Sequence, residues 1–244
     1  MKVELLFAPS HEDALNVLYS ACRQCYMPGF VGDRFPFPDV SDEDKAKLLK
    51  RVMDSGHLSV IEHISFTFAI GDFSRAASQQ LTRHRLASYS ISSQRYCNVQ
   101  DVGVVIPESI SSKPMDYEEF NRIIELIVNW YASVTERDSD SIPVEDARAI
   151  LPINWGSHIV TTMNCRQLLH FFSERLCKTS QNEIRKLAVG MLKLCKERLP
   201  EIFNDAGPKC KELGYCKEGK NRTCGLAPLK EDVFHVYNLF KDKV

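Results

Sequence analysis

The stretch QLTRHRLASYSISSQRY, residues 80–96, carries three arginines, one histidine and four serines and contains no lysine and no acidic residue. Three guanidinium groups this close repel one another unless an anion or nearby carboxylates compensate their charge. Planar guanidinium forks and short hydroxyl donors suit phosphate oxygens. The stretch therefore predicts an anion site. The alternative is a solvated basic turn that pairs with acidic residues elsewhere in the chain.

The residues around this stretch predict the elements that carry it. Residues 63–70 (HISFTFAI) alternate apolar and polar positions, as a half-buried strand does. Residues 74–83 follow as a helix, and the serine-rich residues 88–96 are typical of a loop. The arginine-rich stretch is thus expected to leave the end of a short helix that follows a strand.

The rest of the chain mixes strands and helices without a regular alternation, which favours an α+β fold. Further strands are predicted at 3–8 and 158–163, and further helices at 11–25, 41–56, 115–136, between Pro143 and Pro152, from Asn164 onward, and at 180–198. The buried side of the helix at 115–136 is predicted to consist of Phe120, Ile123, Ile124, Ile127, Val128 and Tyr131. Neither GxGxxG after a strand nor GxxxxGK[ST] occurs, so any phosphate binding must come from side chains.

The composition is that of an ordinary globular protein, with 244 residues, 44% hydrophobic and 26% charged. The formal net charge of -1 argues against a protein that coats nucleic acid. The N-terminus does not read as a signal peptide, and no apolar run approaches the roughly 20 residues of a membrane span. We therefore expect a soluble protein that binds neither nucleic acid nor membranes.

Nine cysteines, an odd number without a secretory signal, predict reduced thiols in a cytoplasm. From Gly207 the composition shifts to Lys, Gly and Cys, which divides the chain into a domain at 1–206 and a Cys-containing C-terminal appendage at 207–244. The spacing of Cys210, Cys216 and Cys224 lacks the short pairs that zinc sites use. We expect incidental thiols and no metal, with a zinc knuckle that binds nucleic acid as the alternative.

Several blocks of polar residues accompany the arginine-rich stretch in a fixed order. The central block is Arg83-His84-Arg85-x-x-Ser88, followed by Ser93-x-Arg95-Tyr96. The others are Gly56-His57-x-Ser59-x-x-Glu62-His63, Phe66-Thr67-Phe68, Glu145-x-x-Arg148-x-x-Leu151-Pro152, Asn164-x-Arg166 and Arg175. Together, over roughly residues 1–203, these blocks resemble the flavin-dependent thymidylate synthases.

The resemblance implies a fold, an assembly and a reaction. The fold is α+β, with a central mixed or antiparallel sheet flanked by helices, of the thymidylate synthase-complementing-protein type. It assembles as a homotetramer that shares its active sites between subunits. The reaction is the reductive methylation of dUMP to dTMP. Methylenetetrahydrofolate donates the carbon, NADPH is the reductant, and FAD mediates the transfer of hydride and the one-carbon unit.

The resemblance also implies which residues bind the cofactor. The flavin-binding residues are His57, Ser59, Glu62, Arg83, His84, Arg85, Ile91, Asn164, Arg166 and His170. Each has a plainer interpretation. His84 can be a buried, hydrogen-bonded histidine, residues 57–62 can simply close the preceding helix, and Asn164 can cap a helix. His170 stands where the family often has Asn, and an imidazole can donate one hydrogen bond as Asn would.

The substrate-binding residues implied for dUMP are Gln80, Arg83, Ser92, Ser93, Gln94, Arg95, Arg148 and Arg175. Arg95 and Arg148 suit the 5′-phosphate, and Arg83 touches dUMP from a neighbouring chain. Arg175 is the catalytic candidate, because a cation beside the uracil polarises the pyrimidine and raises the nucleophilicity of C5. Arg148 also fits a surface helix residue that pairs with Glu145.

Two departures leave a second function open. Ser90-Ile91 stands where family members often have Asn-Glu or Gln-Gln, and Ile91 offers a substrate only its backbone. This motivates the alternative of a nucleotide- or flavin-binding homologue without turnover. Ser93 is not expected to be a nucleophile, because no motif supplies a base beside it.

Overall fold

A computed structural model describes residues 1–97 and 102–233 of the chain. The remaining residues, 98–101 and 234–244, lie outside the described part, and they include the last residues of the predicted appendage. The four strands are β1 (Lys2–Phe7), β2 (Ser65–Ser74), β3 (Ala87–Ile91) and β4 (Gly156–Asn164). They form one sheet in the order β1-β2-β4-β3.

Ten α-helices and three 3-10 helices occur in the described residues. The α-helices are α1 (His11–Gln24), α2 (Asp42–Asp54), α3 (Arg75–Leu81), α4 (Glu108–Ser111), α5 (Pro114–Thr135), α6 (Val144–Ala147), α7 (Cys165–Arg175), α8 (Asn182–Arg198), α9 (Pro200–Phe203) and α10 (Lys209–Leu213). The 3-10 helices are Val31–Asp33, Leu58–His63 and Arg148–Ile150. Helices and strands follow no repeating order, which confirms the predicted α+β class.

The register between β2 and β4 follows from two side-chain hydrogen bonds. The hydroxyls of Thr67 and Thr162 lie 2.9 Å apart, and Ser157 Oγ donates to the carbonyl oxygen of Phe73 at 3.2 Å. The partner number falls as the position along β2 rises, so the two strands run antiparallel. This agrees with the antiparallel sheet that was predicted.

Contacts divide the chain into two compact units. The first contains residues 1–2, 69–83 and the described residues of 89–161. Its apolar core is a cluster of Tyr131, Val134, Ala147 and Trp155, each at most 5% exposed. Helix α5 contributes Tyr131 and Val134 of its last turns to this cluster, while Leu126 and Trp130 of the same helix are 58% and 42% exposed.

The second unit contains residues 3–68, 84–88 and the described residues from 162 onward. Its core is aromatic. The ring of Phe203 meets Phe66 edge-on at 5.6 Å and Phe172 at 6.0 Å, arrangements that aromatic pairs prefer. Helices α1, α7 and α8 contribute further fully buried side chains, among them Leu15, Leu18, Leu168, Phe171, Leu187 and Met191.

Helix starts were predictable because polar caps mark them. Ser10, Ser41 and Asn164 each accept a hydrogen bond from the backbone N–H three residues on, and the cap at Asn164 was predicted. Gly56, expected to end α2, adopts φ +83, a left-handed backbone that favours glycine. None of the helices in the described ranges is long and apolar enough to cross a bilayer.

Two local expectations were wrong. Residues 87–91 form strand β3 rather than a loop, because the backbone of this mostly polar segment pairs at the sheet edge, where no apolar periodicity is needed. On α5, Ile123 is 44% exposed rather than buried, because the described core meets that helix mainly at Tyr131 and Val134.

Candidate active site

Helix α7 carries the central part of the site in the second unit. It begins directly after β4, where Asn164 Oδ1 accepts the N–H of Gln167 at 2.9 Å and the N–H of Cys165 donates to Ile64. The cap and the strand connection fix the helix at its first turn. The side chains of Gln167, His170 and Phe171 follow at helical spacing.

His84 is the buried centre of this cluster, with 6% of its surface exposed. Its Nε2 accepts a hydrogen bond from Nε of Arg175 at 3.0 Å, and its Nδ1 lies 3.3 Å from the side-chain amide of Gln167. Because arginine only donates, Nε2 carries no proton. On the other side of the ring, Nε2 of Gln167 lies 3.3 Å from Nδ1, a contact whose donor and acceptor depend on the histidine tautomer.

The surroundings of His84 keep its ring neutral. Burial is the largest cause that lowers the pKa of His84, and the nearby Arg175 and His170 lower it further, to about 4 against an ordinary 6.5. Glu174 acts in the opposite direction and is outweighed. Phe171 packs edge-on against the imidazole with ring centroids 5.0 Å apart. The imidazole is thus a hydrogen-bond acceptor at neutral pH.

Arg83 and Arg85 flank this histidine and are both exposed, whereas His84 is buried. These residues lie between the end of α3 and the start of β3 at Ala87. The buried histidine fits the plainer interpretation of that residue. The two exposed guanidiniums are placed to meet a ligand.

Glu62 and Arg166 form an ion pair between the 3-10 helix at Leu58–His63 and the first turn of α7. Their side chains are 41% and 54% exposed, so the pair is solvated and contributes little to stability. His57 immediately precedes the 3-10 helix and makes no capping hydrogen bond through its side chain, and Ser59 lies within the helix. Glu62 and Arg166 were both predicted to bind the flavin, but the ion pair between them was not predicted.

A cavity of about 560 Å³ lies beside this ion pair, within the second unit. Its lining includes Arg166 and His170 from α7, Met53 from α2, and residues 205–212 of the C-terminal segment. Cavities of this size hold cofactors and substrates of moderate size. Two of the predicted flavin-binding residues therefore face a space that a ligand can enter.

The residues predicted to bind dUMP phosphate lie in the first unit. Arg95 pairs with the carboxylate of Glu145 at 2.7 Å, with the two side chains 50% and 49% exposed. Nε of Arg148 donates to the backbone oxygen of Glu145 at 3.0 Å. Arg148 thus pairs with the backbone of Glu145, as its alternative interpretation expects, while Arg95 takes the Glu145 carboxylate.

Ser92, Ser93 and Gln94 follow β3 in the same unit. Ser92 Oγ accepts the N–H of His158 at 2.9 Å, and Ser93 Oγ accepts the N–H of Arg95 at 3.2 Å. The buried Nε2 of Gln94 has no hydrogen-bond partner among the described residues. The adjacent cavity, of about 10 Å³, has room for about one water molecule.

The remaining predicted residues take simpler positions. Gln80 is in α3, and Ile91 ends β3 with 36% of its surface exposed. Asn164 fulfils its capping role. In the second unit the structure brings together His84, His170 and Arg175, and separately pairs Glu62 with Arg166. In the first unit it places Ser93, Arg95 and Arg148 near Glu145 and its neighbours.

Comparison with known proteins identifies the family. The family model described as thymidylate synthase complementing protein matches residues 7–201. The flavin-dependent thymidylate synthase of Nitratidesulfovibrio vulgaris is 44% identical over 241 residues, covering 95% of this chain and 97% of the relative. That of Geobacter sulfurreducens is 43% identical over 230 residues, covering 93% and 95%. The chain belongs to the flavin-dependent thymidylate synthase family.

A solved structure of this family shares the fold. The flavin-dependent thymidylate synthase of Helicobacter pylori, in complex with FAD and dUMP, superposes with a TM-score of 0.67 at 23% identity. The match covers 85% of this chain and all of the solved one, 100%. At this identity the likeness establishes the fold, and the resemblance read from the sequence motifs is confirmed at the level of the family.

Sequence reasoning missed Gln167 and Glu174 within this family site. Both lie on α7 at helical spacing from His170 and Phe171, so a count of positions 167, 170, 171 and 174 would have placed them on one face. Burial opposes ionisation of Glu174, but Lys217 and Lys209 outweigh it and hold the pKa of that carboxyl below its ordinary value. Lys217 lies 3.1 Å and Lys209 3.5 Å from Glu174 Oε1.

The cysteines of the C-terminal segment remain thiols. All nine cysteines of the chain are free, and within the described ranges no group of three or more His, Cys, Asp or Glu is placed to hold a metal. Burial raises the pKa of the Cys210 thiol, and the neighbouring Cys177 and Cys216 raise it further. The raised pKa keeps the Cys210 thiol protonated, and so weakly nucleophilic, at neutral pH.

Proposed function

We propose that this chain converts dUMP to dTMP by reductive methylation, as a flavin-dependent thymidylate synthase. Family membership over residues 7–201 carries the proposal, together with the arginine-rich motif, whose histidine is buried on Arg175 while its two arginines face outward. The curated relatives bear the name of the enzyme. The alternative of a homologue without turnover is not favoured by any of these observations.

The residues present fit an FAD cofactor. The exposed Arg83 and Arg85 supply the cations that a pyrophosphate and an anionic reduced flavin require. Arg166 and His170 line the 560 Å³ cavity and supply donors at its wall. When bound, FAD would supply hydride and mediate one-carbon transfer, with methylenetetrahydrofolate as carbon donor and NADPH as reductant.

The first unit offers the groups for the phosphate and ribose end of dUMP. Arg95 already holds a carboxylate at 2.7 Å, an anion that a phosphate can replace. Arg148 lies beside the same acid, bonded to its backbone oxygen. The unpartnered Nε2 of Gln94 is a donor that a substrate oxygen would satisfy.

Arg175 is the group we assign to the pyrimidine. Its guanidinium would stabilise negative charge that develops on a carbonyl oxygen or on N3, and so make C5 more nucleophilic. Ser93 stays a hydrogen-bonding residue, because its hydroxyl accepts from the backbone of Arg95 and meets no base in the described residues. The protein thus binds, orients and polarises the pyrimidine.

We further propose a homotetramer that works in the cytoplasm, with Arg83 reaching dUMP from a neighbouring subunit. The appendage at 207–244 would be an addition to the catalytic domain at 1–206. Family membership and the free cysteines support these proposals. Sedimentation of the purified protein tests the assembly independently of its activity.

The function is tested with purified protein by the flavin absorbance spectrum and by tritium release from 5-labelled dUMP. The wild-type chain should carry FAD and release tritium when NADPH and methylenetetrahydrofolate are present. Arg85→Ala should lower the bound FAD, whereas Arg122→Ala, which removes an exposed arginine paired with Glu119 on α5, should not. A colourless protein that takes up no FAD, or full occupancy without tritium release, would overturn the proposal.

A further inference from the structure

We propose that His84 is a positioning residue that directs the Arg175 guanidinium by accepting a hydrogen bond from its Nε. The inference rests on the proposed role of Arg175 toward the pyrimidine. It gives the histidine of the arginine-rich motif a task different from that of its two exposed neighbours. The flavin contact expected for His84 is a separate prediction, and the experiments below distinguish the two.

The imidazole of His84 has a partner at each ring nitrogen, and one of these partners is the Arg175 guanidinium. Nε of Arg175 donates to Nε2 at 3.0 Å, and Gln167 holds Nδ1 at 3.3 Å on the opposite edge of the ring. A ring nitrogen accepts along one in-plane direction, so the hydrogen bond sets the plane in which the arginine leaves helix α7. With 6% of its surface exposed, His84 presents little of itself to a ligand.

A neutral acceptor preserves the charge that the reaction needs. A buried carboxylate in place of His84 would hold Arg175 equally well, but it would neutralise the guanidinium and weaken its pull on the pyrimidine. The only carboxylate that adjoins Arg175 in sequence, Glu174, lies 3.1 Å from Lys217 and 3.5 Å from Lys209. The arginine is thus oriented by an uncharged group while the adjacent acid is held by lysines.

Helix α7 supplies Gln167, His170, Phe171 and Arg175 to the surroundings of the His84 ring, with Glu174 acting at longer range. Burial and the two basic neighbours keep the ring unprotonated at neutral pH. Protonation would place a donor opposite the donor of Arg175 and break the contact. The acceptor role therefore holds across the physiological pH range.

The decisive experiment compares two amide variants of the full-length FAD-loaded enzyme. In His84→Gln the side-chain oxygen reaches the position of Nε2 and can still accept from Arg175, whereas in His84→Asn it is one carbon short. The dissociation constant of dUMP should weaken about 10- to 100-fold in His84→Asn, the range for a lost hydrogen bond to a charged group. His84→Gln should return it to within a few-fold of wild type.

Bound FAD, measured by absorbance, should be the same in both variants. The double variant His84→Asn with Arg175→Ala should bind dUMP no more weakly than Arg175→Ala alone, because the histidine acts only through that arginine. The inference would be overturned by a loss of bound FAD in proportion to activity. It would also be overturned if dUMP binding weakened equally in both amide variants, or if the effects of the two substitutions on dUMP binding added in the double variant. Because dUMP binding needs no turnover, a wild-type chain that binds dUMP without releasing tritium would contradict only the proposed function.

Discussion

Arg175 and Arg95 are both predicted to touch dUMP, yet the structure prepares them in opposite ways. Arg175 is held by the buried, uncharged His84 at 3.0 Å. Arg95 is held by the charged Glu145 at 2.7 Å, with both side chains about half exposed at 50% and 49%. The first arrangement keeps a directed positive charge, whereas the second keeps a neutral pair that an incoming anion must separate.

The difference matches the two chemical tasks. A group that polarises a pyrimidine must keep its direction and its full charge through the reaction, and preorganisation in a dry site provides both. A group that binds a phosphate needs only to exchange one anion for another at a solvated surface, where the exchange costs little. The four predictions that follow separate these roles, from the largest expected effect to the smallest.

Arg175→Ala should lower kcat/KM for dUMP by about 10³-fold, because it removes charge stabilisation at the reacting ring. Arg175→Lys should recover only part of this loss, since an ammonium cannot donate to His84 and to the substrate in the same fork. Tritium release from 5-labelled dUMP measures both variants, with FAD content as the control. A loss below about tenfold in Arg175→Ala would contradict the assigned role.

His84 should make the free energy of unfolding decrease as the pH is lowered. The pKa of this histidine is about 4 in the folded chain against an ordinary 6.5, so below pH 6.5 the unfolded chain binds the proton first. Stability is then lost progressively until pH reaches about 4, by on the order of 3 kcal/mol for a shift of this size. Denaturant unfolding measures the free energy of unfolding of wild type and of His84→Asn. The difference between the two values should become smaller as the pH is lowered from 6.5 to about 4. A difference independent of pH would show that His84 is not a buried neutral histidine.

Arg95→Ala should raise KM for dUMP about tenfold and leave kcat nearly unchanged, as expected when a ground-state phosphate contact is lost. Steady-state kinetics at two ionic strengths measure it, and the defect should shrink at high salt because exposed charges are screened. A fall in kcat as large as that for Arg175→Ala would erase the distinction between the two arginines. Arg137→Ala, a change at an exposed arginine of the same unit, is the matched control.

Asn164 tests whether one residue serves both the fold and the cofactor. Asn164→Ala should lower the free energy of unfolding by about 1 kcal/mol through loss of the cap on α7. Asn164→Ser keeps a capping oxygen and should restore the stability. Thermal unfolding together with FAD titration separates the effects, because a cap alone predicts that Asn164→Ser also restores FAD affinity. A flavin contact predicts that it does not.

Local signals explain what could be predicted from the sequence. The caps at Ser10, Ser41 and Asn164, the alternation in residues 63–70 and the glycine at position 56 each act through near neighbours, and the structure has them in place. The family followed from motif residues, since chemistry constrains those positions wherever they lie. Strand β3 was missed because an edge strand needs backbone pairing and no apolar pattern.

Contacts between distant parts of the chain could not be predicted in the same way. His84 and Arg175 are 91 positions apart, and Glu62 and Arg166 are 104 apart. Nothing local marks such partners, because the pairing depends on how β2, β4 and α7 pack. The same holds for Glu145, whose carboxylate holds Arg95 while its backbone oxygen accepts from Arg148.

Glu174 gives the C-terminal segment a significance beyond its small size. Lys209 and Lys217 hold the carboxylate that immediately precedes Arg175 in the chain and that favours protonation of His84. A chain shortened to residue 206 would leave that negative charge uncompensated on the helix that carries both of these contacts. The segment therefore compensates the charge of Glu174, and a protein truncated before Lys209 would present its substrate with a more negative electrostatic potential beside Arg175.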